Sequence, residues 1–89
     1  MEYFMYCIFS FKSRQEAMRL LENARRLRID VSIISTPKFV RFECGLSVKT
    51  SIENYHALYN VFVSNKFSTF IGAYRVKTDG KGTRSERIL

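Results

Sequence analysis

The spacing of apolar residues changes along the first third of the chain. Tyr3–Phe11 is apolar on both faces of an extended strand, which is typical of a central strand covered on two sides. Apolar residues then recur at three- and four-residue steps, which predicts an amphipathic helix of about four turns; they are Ala17, Leu20, Leu21, Ala24 and Leu27. Ser13 and Glu16 have capping-box spacing, so we expect Ser13 to cap this helix and Glu16 to bond back to the Ser13 amide.

Two short strands follow in the pattern. Val31–Ser35 is β-branched and predicts a strand, and Pro37 removes an amide donor that regular pairing would need. Leu46–Lys49 predicts the next strand, which begins after Gly45. Together they frame a segment of irregular backbone.

A second helix and a last strand complete the pattern. Thr50–Glu53 has the form of another capping box, and apolar residues from Ile52 to Val63 line one helical face. Asn65 is expected to end this helix in the left-handed conformation. Phe67–Val76 predicts the last strand, and the polar residues 77–89 predict a flexible basic tail.

The element order is therefore β-α-β-β-α-β. With right-handed crossovers, this order predicts an α+β ferredoxin-like split βαβ sandwich, with a four-stranded antiparallel sheet and both helices on one face. We expect one domain over residues 1–76 and the tail over residues 77–89.

Composition supports a packed globule of one domain. The chain has 89 residues, of which 46% are hydrophobic and 15% aromatic. The first apolar run is too short for a membrane span, and Glu2 argues against a secretion signal. Cys7 and Cys44 do not form a disulfide framework. We therefore expect a cytoplasmic protein with free thiols and no membrane partner.

The formal net charge is +7, and much of it lies between Lys12 and Arg28. Such a run is most often the solvated face of a helix. The alternative is a surface for an anionic partner, either a nucleic acid or an acidic protein.

Candidate chemistry centres on Cys44, which ends the basic segment Thr36–Gly45. A thiol becomes a good nucleophile only as a thiolate, and nearby cations favour that form. The predicted topology brings this segment to the same end of the domain as Ser10–Ser13 and the first helix N-terminus. The binding residues expected around Cys44 are Gly45, Pro37, Lys38, Arg41, Ser10, Lys12, Ser13 and Arg14.

Other chemistry is not indicated by the sequence. Cys7 lies on the first strand and is interpreted as a small core residue, and His56 as a surface or half-buried residue. No spacing of ligand residues defines a metal site, and no glycine-rich phosphate loop or catalytic triad is present, so we expect no metal and no cofactor. Whether the chain is an enzyme stays open.

Several of these positions together resemble the small bacterial family named putative Se/S carrier protein-like. They are Phe9 and Ser10 (or Phe11 and Ser13), Ala17, Ile29, Val31, Ile34, Pro37, Cys44 and Gly45, with Gly72–Val76 similar to the final strand of the family. The resemblance implies a carrier that holds sulfur or selenium on Cys44 as a persulfide or selenosulfide. It also implies donor and acceptor proteins, which the sequence does not identify.

Two other functions remain open at this point. One is a protein-interaction or regulatory module, with a homodimer formed through the apolar outer face of the sheet around Tyr6 and Ile8. The other is a nucleic-acid-binding module, which the charge and fold permit. It is less favoured because the aromatic motif of RNA recognition modules is missing and the predicted third strand, Leu46–Lys49, has no aromatic residue.

Overall fold

The computed structural model describes residues 4–40 and 45–89. Within these residues, five strands form one antiparallel sheet in the order β2-β3-β1-β4-β5, with two α-helices and a short 3₁₀ helix. The elements are β1 (Phe4–Phe11), α1 (Arg14–Arg26), β2 (Val31–Ser35), β3 (Leu46–Ser51), the 3₁₀ helix (Ile52–Asn54), α2 (Tyr55–Val63), β4 (Phe70–Asp79) and β5 (Gly82–Arg87). The predicted α+β, ferredoxin-like fold is confirmed, with one strand more than expected.

The core lies between the sheet and the two helices. Cys7, Phe9 and Phe11 alternate along β1 toward the helices and are fully buried. Four residues of the predicted α1 stripe pack on them, together with Leu58 and Val61 of α2; they are Ala17, Leu20, Leu21 and Ala24. The fifth, Leu27, follows the end of α1 and is 67% exposed, so the predicted stripe was one residue too long. The Phe9 and Phe11 rings contact Phe62, with ring centroids 5.4 and 6.3 Å apart. Aromatic packing therefore anchors α2 to the central strand.

The start of α1 agrees with only half of the predicted capping box. The Ser13 hydroxyl accepts a hydrogen bond from the Glu16 amide at 3.2 Å, as expected of an N-cap. Glu16 does not bond back to Ser13, because the Ser13 amide donates to the Thr69 hydroxyl instead. The Glu16 carboxylate reaches Ser68 and Thr69 in the segment before β4. Contacts of Glu16 with Ser68 and Thr69 have therefore replaced the predicted hydrogen bond from the Ser13 amide to Glu16.

The predicted ends of α2 were both wrong. Thr50 belongs to β3, and its hydroxyl donates to the Asp30 carbonyl at 2.7 Å, so it does not cap a helix. The helix ends at Ser64 in an ordinary right-handed conformation. Asn65 is not left-handed, since Arg28 is the one non-glycine residue with positive φ among residues 4–40 and 45–89. The Asn65 side-chain amide instead donates to the Val61 carbonyl at 2.8 Å.

The polar segment that we predicted to be a flexible tail forms part of the sheet. β4 continues to Asp79, and β5 pairs with it from Gly82 opposite Asp79 to Arg87 opposite Tyr74. The Asp79 side chain accepts a hydrogen bond from the Lys81 amide in the turn between them. After β5, the Ile88 amide donates to the Ala73 carbonyl at 2.8 Å. Backbone pairing therefore orders residues whose side chains gave no apolar pattern.

The outer face of the sheet, on the side away from the helices, is covered at its centre. Ile8 and Val76 point to this side and are fully buried, outside the cluster beneath the helices. Val40 is only 3% exposed, and the Phe39 ring packs edge-on against Tyr74 of β4 with centroids 5.9 Å apart. We call residues 36–40 the outer-face segment, because Phe39 places it across this side of the sheet.

Burial of the outer face bears on the homodimer and on the nucleic-acid-binding function that the sequence left open. The apolar residue Ile8, which suggested a surface for a homodimer, is enclosed within the chain. The same face would have to be open for bases to stack on it in the manner of an RNA recognition module. Within the described part of the chain, no helix is both long enough and apolar enough to cross a membrane.

Candidate functional site

The site predicted from sequence centres on the point where the chain enters β3. Phe11 pairs with Leu46 and Ser10 with Ser47, so the start of β3 lies beside the end of β1. Gly45 has φ of +135°, and a Cβ added to it would lie 2.2 Å from the Phe11 carbonyl oxygen. Only glycine fits this close approach without a shift of the backbone. The chain around Gly45 is thereby held against Phe11 and Lys12.

Two of the predicted site residues, Cys44 and Arg41, lie outside the described residues. The other cysteine, Cys7, is 0% exposed, and its burial raises the pKa of its thiol to about 12. A thiol in that state is not a nucleophile near neutral pH. The interpretation of Cys7 as a core residue is confirmed.

Three hydroxyl groups form a chain on the outer face next to Gly45. The Ser10 and Ser47 hydroxyl oxygens lie 2.7 Å apart, and the Ser47 and Thr36 hydroxyl oxygens lie 3.1 Å apart. Ser10 and Ser47 are fully buried, and each satisfies the other's polar group. We name Thr36, Ser47 and Ser10 the hydroxyl chain. Sequence reasoning had proposed Ser10 but missed its partner Ser47, whose proximity depends on strand register.

The N-terminus of α1 brings cations and a carboxylate together. Lys12 and Arg14 are exposed on either side of the cap residue Ser13, and the Lys12 amide donates to the Thr69 carbonyl at 2.9 Å. Partial burial alone would raise the pKa of Glu16, but hydrogen bonds from Thr69 and Ser68 outweigh it and lower that pKa to about 2. The helix terminus therefore carries an ionised carboxylate of its own, in addition to the cations that the sequence predicted.

The remaining predicted residues lie in the outer-face segment. The Pro37 carbonyl accepts a hydrogen bond from the Val40 amide at 3.0 Å, which closes a turn. Lys38 is exposed within that turn, whereas Val40 is buried. The turn therefore directs one basic side chain to solvent, while Val40 is buried and the neighbouring Phe39 ring packs against Tyr74 of the sheet.

Sequence reasoning missed Arg87, because it assigned this residue to a flexible tail. The Arg87 guanidinium donates to the Ile71 carbonyl at 3.1 Å and lies over Gly72, where an added Cβ would approach Arg87 Nε to 3.0 Å. Gly72 pairs with Ser10, so this cation lies one strand away from the hydroxyl chain. The glycine that interrupts β4 was the available signal, since it marks a close approach.

Comparisons with known proteins give one family. A family model described as Putative Se/S carrier protein-like matches residues 6–70, which is more than half of the chain. No curated protein and no solved structure matches the chain. The matched region runs from β1 to the start of β4 and includes the predicted site.

Proposed function

Because the chain belongs to the Putative Se/S carrier protein-like family, we propose that it carries sulfur or selenium on Cys44. The observation that carries this proposal is the state of the other cysteine. Cys7 is buried with a raised thiol pKa, which leaves Cys44 as the cysteine for thiolate chemistry. The family name agrees with a role as a carrier that acts between other proteins rather than as a stand-alone enzyme.

The proposed step is a thiol–persulfide exchange. The Cys44 thiolate attacks the terminal sulfur of a persulfide on a donor protein, a new S–S bond forms at Cys44, and the donor leaves as a thiolate. An acceptor thiolate then attacks the terminal sulfur held by Cys44 and regenerates the Cys44 thiolate. No net oxidation occurs in either transfer. With selenium as cargo, the same exchange forms a selenosulfide.

The surroundings of Gly45 support this chemistry. Lys12, Arg14 and Lys38 supply positive charge at this end of the domain, which favours a thiolate and an anionic persulfide. Arg41 is proposed to add to that charge. Pro37 and Gly45 are proposed to shape the segment, and Ser10 and Ser13 to contribute hydroxyl groups at the same end.

The experiment that tests the proposal is a sulfur-loading assay. The protein is incubated with a cysteine desulfurase and cysteine, and its intact mass and peptide masses are measured. We expect a gain of one sulfur atom on the peptide that contains Cys44, and loss of that gain in Cys44→Ser. The control Cys7→Ser is expected to load normally.

The alkylation rate of Cys44 gives an independent readout. A thiol with a lowered pKa reacts faster at neutral pH than a model thiol, because more of it is thiolate. Loading on Cys7, no loading at all, or alkylation no faster than that of a model thiol would each overturn the proposal. If Cys44 is loaded as expected, transfer of its added sulfur atom to a second protein, measured as a mass gain of that protein, would identify the acceptor.

A further inference from the structure

A cleft on the outer face of the sheet has no role in the proposed carrier chemistry. Its volume is about 410 Å³, which is within the range of small-molecule sites, and it lies at the opposite end of β1 from Gly45. The polar and aromatic residues that line it are Tyr6, Asp30, Ser32, Lys49, Thr50, Ser51 and Thr78. We call it the Lys49 cleft.

The strand register fixes the arrangement of these side chains. Ser32 of β2 pairs with Lys49 of β3, and Ser51 of β3 pairs with Tyr6 of β1. Lys49 and Ser51 are two positions apart on one strand, so all four side chains point to the same face. The Lys49 side chain is thereby placed on the same face of the sheet as the Ser32 and Ser51 side chains and the Tyr6 ring.

Lys49 is a half-buried cation without a carboxylate partner among residues 4–40 and 45–89. Its Nζ lies 4.3 Å from the centroid of the Tyr6 ring. The ion pairs of these residues are Arg19–Glu16 and Arg75–Glu86, and neither includes Lys49. An ammonium group without a carboxylate partner favours an anionic ligand.

Asp30 adds the opposite charge at another wall of the cleft. Its backbone carbonyl accepts the hydrogen bond from Thr50 at 2.7 Å, which fixes the chain at this point, and its side chain is exposed. A ligand with a second negative charge would be repelled by this carboxylate. A ligand with an ammonium group would be attracted to it.

We propose that the Lys49 cleft binds a small α-amino acid. Its carboxylate accepts hydrogen bonds from the Lys49 ammonium group and from the Ser32 and Ser51 hydroxyls. Its ammonium group faces Asp30, and its side chain lies against Tyr6, which also lines the cleft. Among the described residues that line the cleft, Lys49 is the one cation and Asp30 the one carboxylate, and this pair matches a zwitterion better than it matches a phosphate dianion.

The test is a titration of the isotopically labelled full chain with L-methionine, followed through backbone amide chemical shifts. We expect saturable shifts centred on Tyr6, Ser32, Lys49 and Ser51. L-Methioninamide, which lacks the carboxylate, and N-acetyl-L-methionine, which lacks the ammonium group, are each expected to bind at least about tenfold more weakly, since each loses one charged contact. The same titration in Cys44→Ser separates this site from the carrier chemistry, and its binding should be unchanged.

Variants locate the binding groups. Lys49→Gln is expected to weaken L-methionine binding about tenfold or more. Asp30→Asn is expected to abolish the preference for L-methionine over N-acetyl-L-methionine. The matched control is Lys66→Gln, which removes an exposed lysine outside the cleft and should leave binding unchanged.

Several outcomes would overturn the proposal. They are no saturable shift up to about 10 mM, which is tenfold above a millimolar dissociation constant, equal binding of L-methionine and L-methioninamide, or inorganic phosphate binding as tightly as L-methionine. Unchanged binding in folded Lys49→Gln would also refute it. Should Lys49→Gln fail to fold, the ligand series and Asp30→Asn decide the question alone.

Discussion

The carboxylate of Glu16 accepts four hydrogen bonds, two from backbone amides and two from hydroxyls of Ser68 and Thr69. It also lies in the first turn of α1, where the helix dipole favours negative charge. These contacts join the start of α1 to the segment before β4. A single ionised side chain therefore ties together two parts of the chain that are more than 50 positions apart.

Glu16 should make the stability of the fold depend on pH in the acid range. Its pKa is lowered to about 2 in the folded chain, against an ordinary value of about 4.3. The stabilisation is thus fully present above about pH 5 and is lost as the pH falls toward 2. Glu16→Gln is expected to lower the free energy of unfolding at pH 7 and to flatten its decline between pH 5 and pH 2, as measured by urea unfolding.

The control for this prediction is Glu22→Gln on the exposed side of the same helix. It removes the same formal charge without removing the contacts to Ser68 and Thr69. We expect it to keep the acid dependence of the unmodified protein. Equal pH profiles for the two variants would contradict the role given to the Glu16 hydrogen bonds.

Single residues differ in how far the sequence could assign them. Cys7 was assigned correctly, because its place on an apolar strand already implies burial. The capping role of Glu16 was assigned incorrectly, because a capping box is a local rule and Thr69 competes from a distant part of the chain. Ser47 became visible only with the register of β1 and β3.

At the scale of elements, β5 is a strand that the pattern of apolar side chains did not predict. Every residue of Gly82–Arg87 is exposed, so the strand adds no apolar periodicity that a sequence could reveal. Its order comes from pairing with β4 and from the turn at Asp79–Gly82. By contrast, β2 was predicted with its observed bounds, Val31–Ser35, because β-branched residues and Pro37 define it locally.

A chain that ends at Gly80 tests whether β5 stabilises the fold. It removes the ladder to β4 and the half-buried Ile88, which packs against the core cluster. We expect the free energy of unfolding to fall by roughly 1–3 kcal/mol, as for loss of a buried apolar contact and its hydrogen bonds. Urea unfolding of both chains measures the change.

Charge needs its own control in that comparison, because the shortened chain also loses basic residues. Arg84→Gln removes one exposed cation of β5 and keeps the strand. It is expected to change stability by less than about 0.5 kcal/mol. If the shortened chain were as stable as the full one, residues 81–89 would contribute no more than the flexible tail that the composition suggested.

At the scale of the whole molecule, apolar residues are buried on both faces of the sheet. The helices cover one face, and the outer-face segment covers the centre of the other. The predicted central position of β1, with both sides covered, is therefore explained by two different parts of the chain. The sequence predicted that both faces of Tyr3–Phe11 are covered. It did not identify the outer-face segment as one of the covering parts, because a segment of five residues gives no periodic signal.

Val40 is the buried residue of the outer-face segment, and Val40→Ser tests whether the cover of the sheet depends on it. Val40 is 3% exposed, so its replacement by serine removes buried apolar contacts and places a hydroxyl among buried side chains. We expect a loss of roughly 1–3 kcal/mol in the free energy of unfolding. Ile8 and Val76 should become more accessible, which increased binding of a hydrophobic dye to the folded protein would report.

The control Val63→Ser changes a valine that is 53% exposed on α2, and it should alter stability by less than about 0.5 kcal/mol with no added dye binding. Equal effects of the two substitutions would mean that the outer-face segment does not seal the sheet.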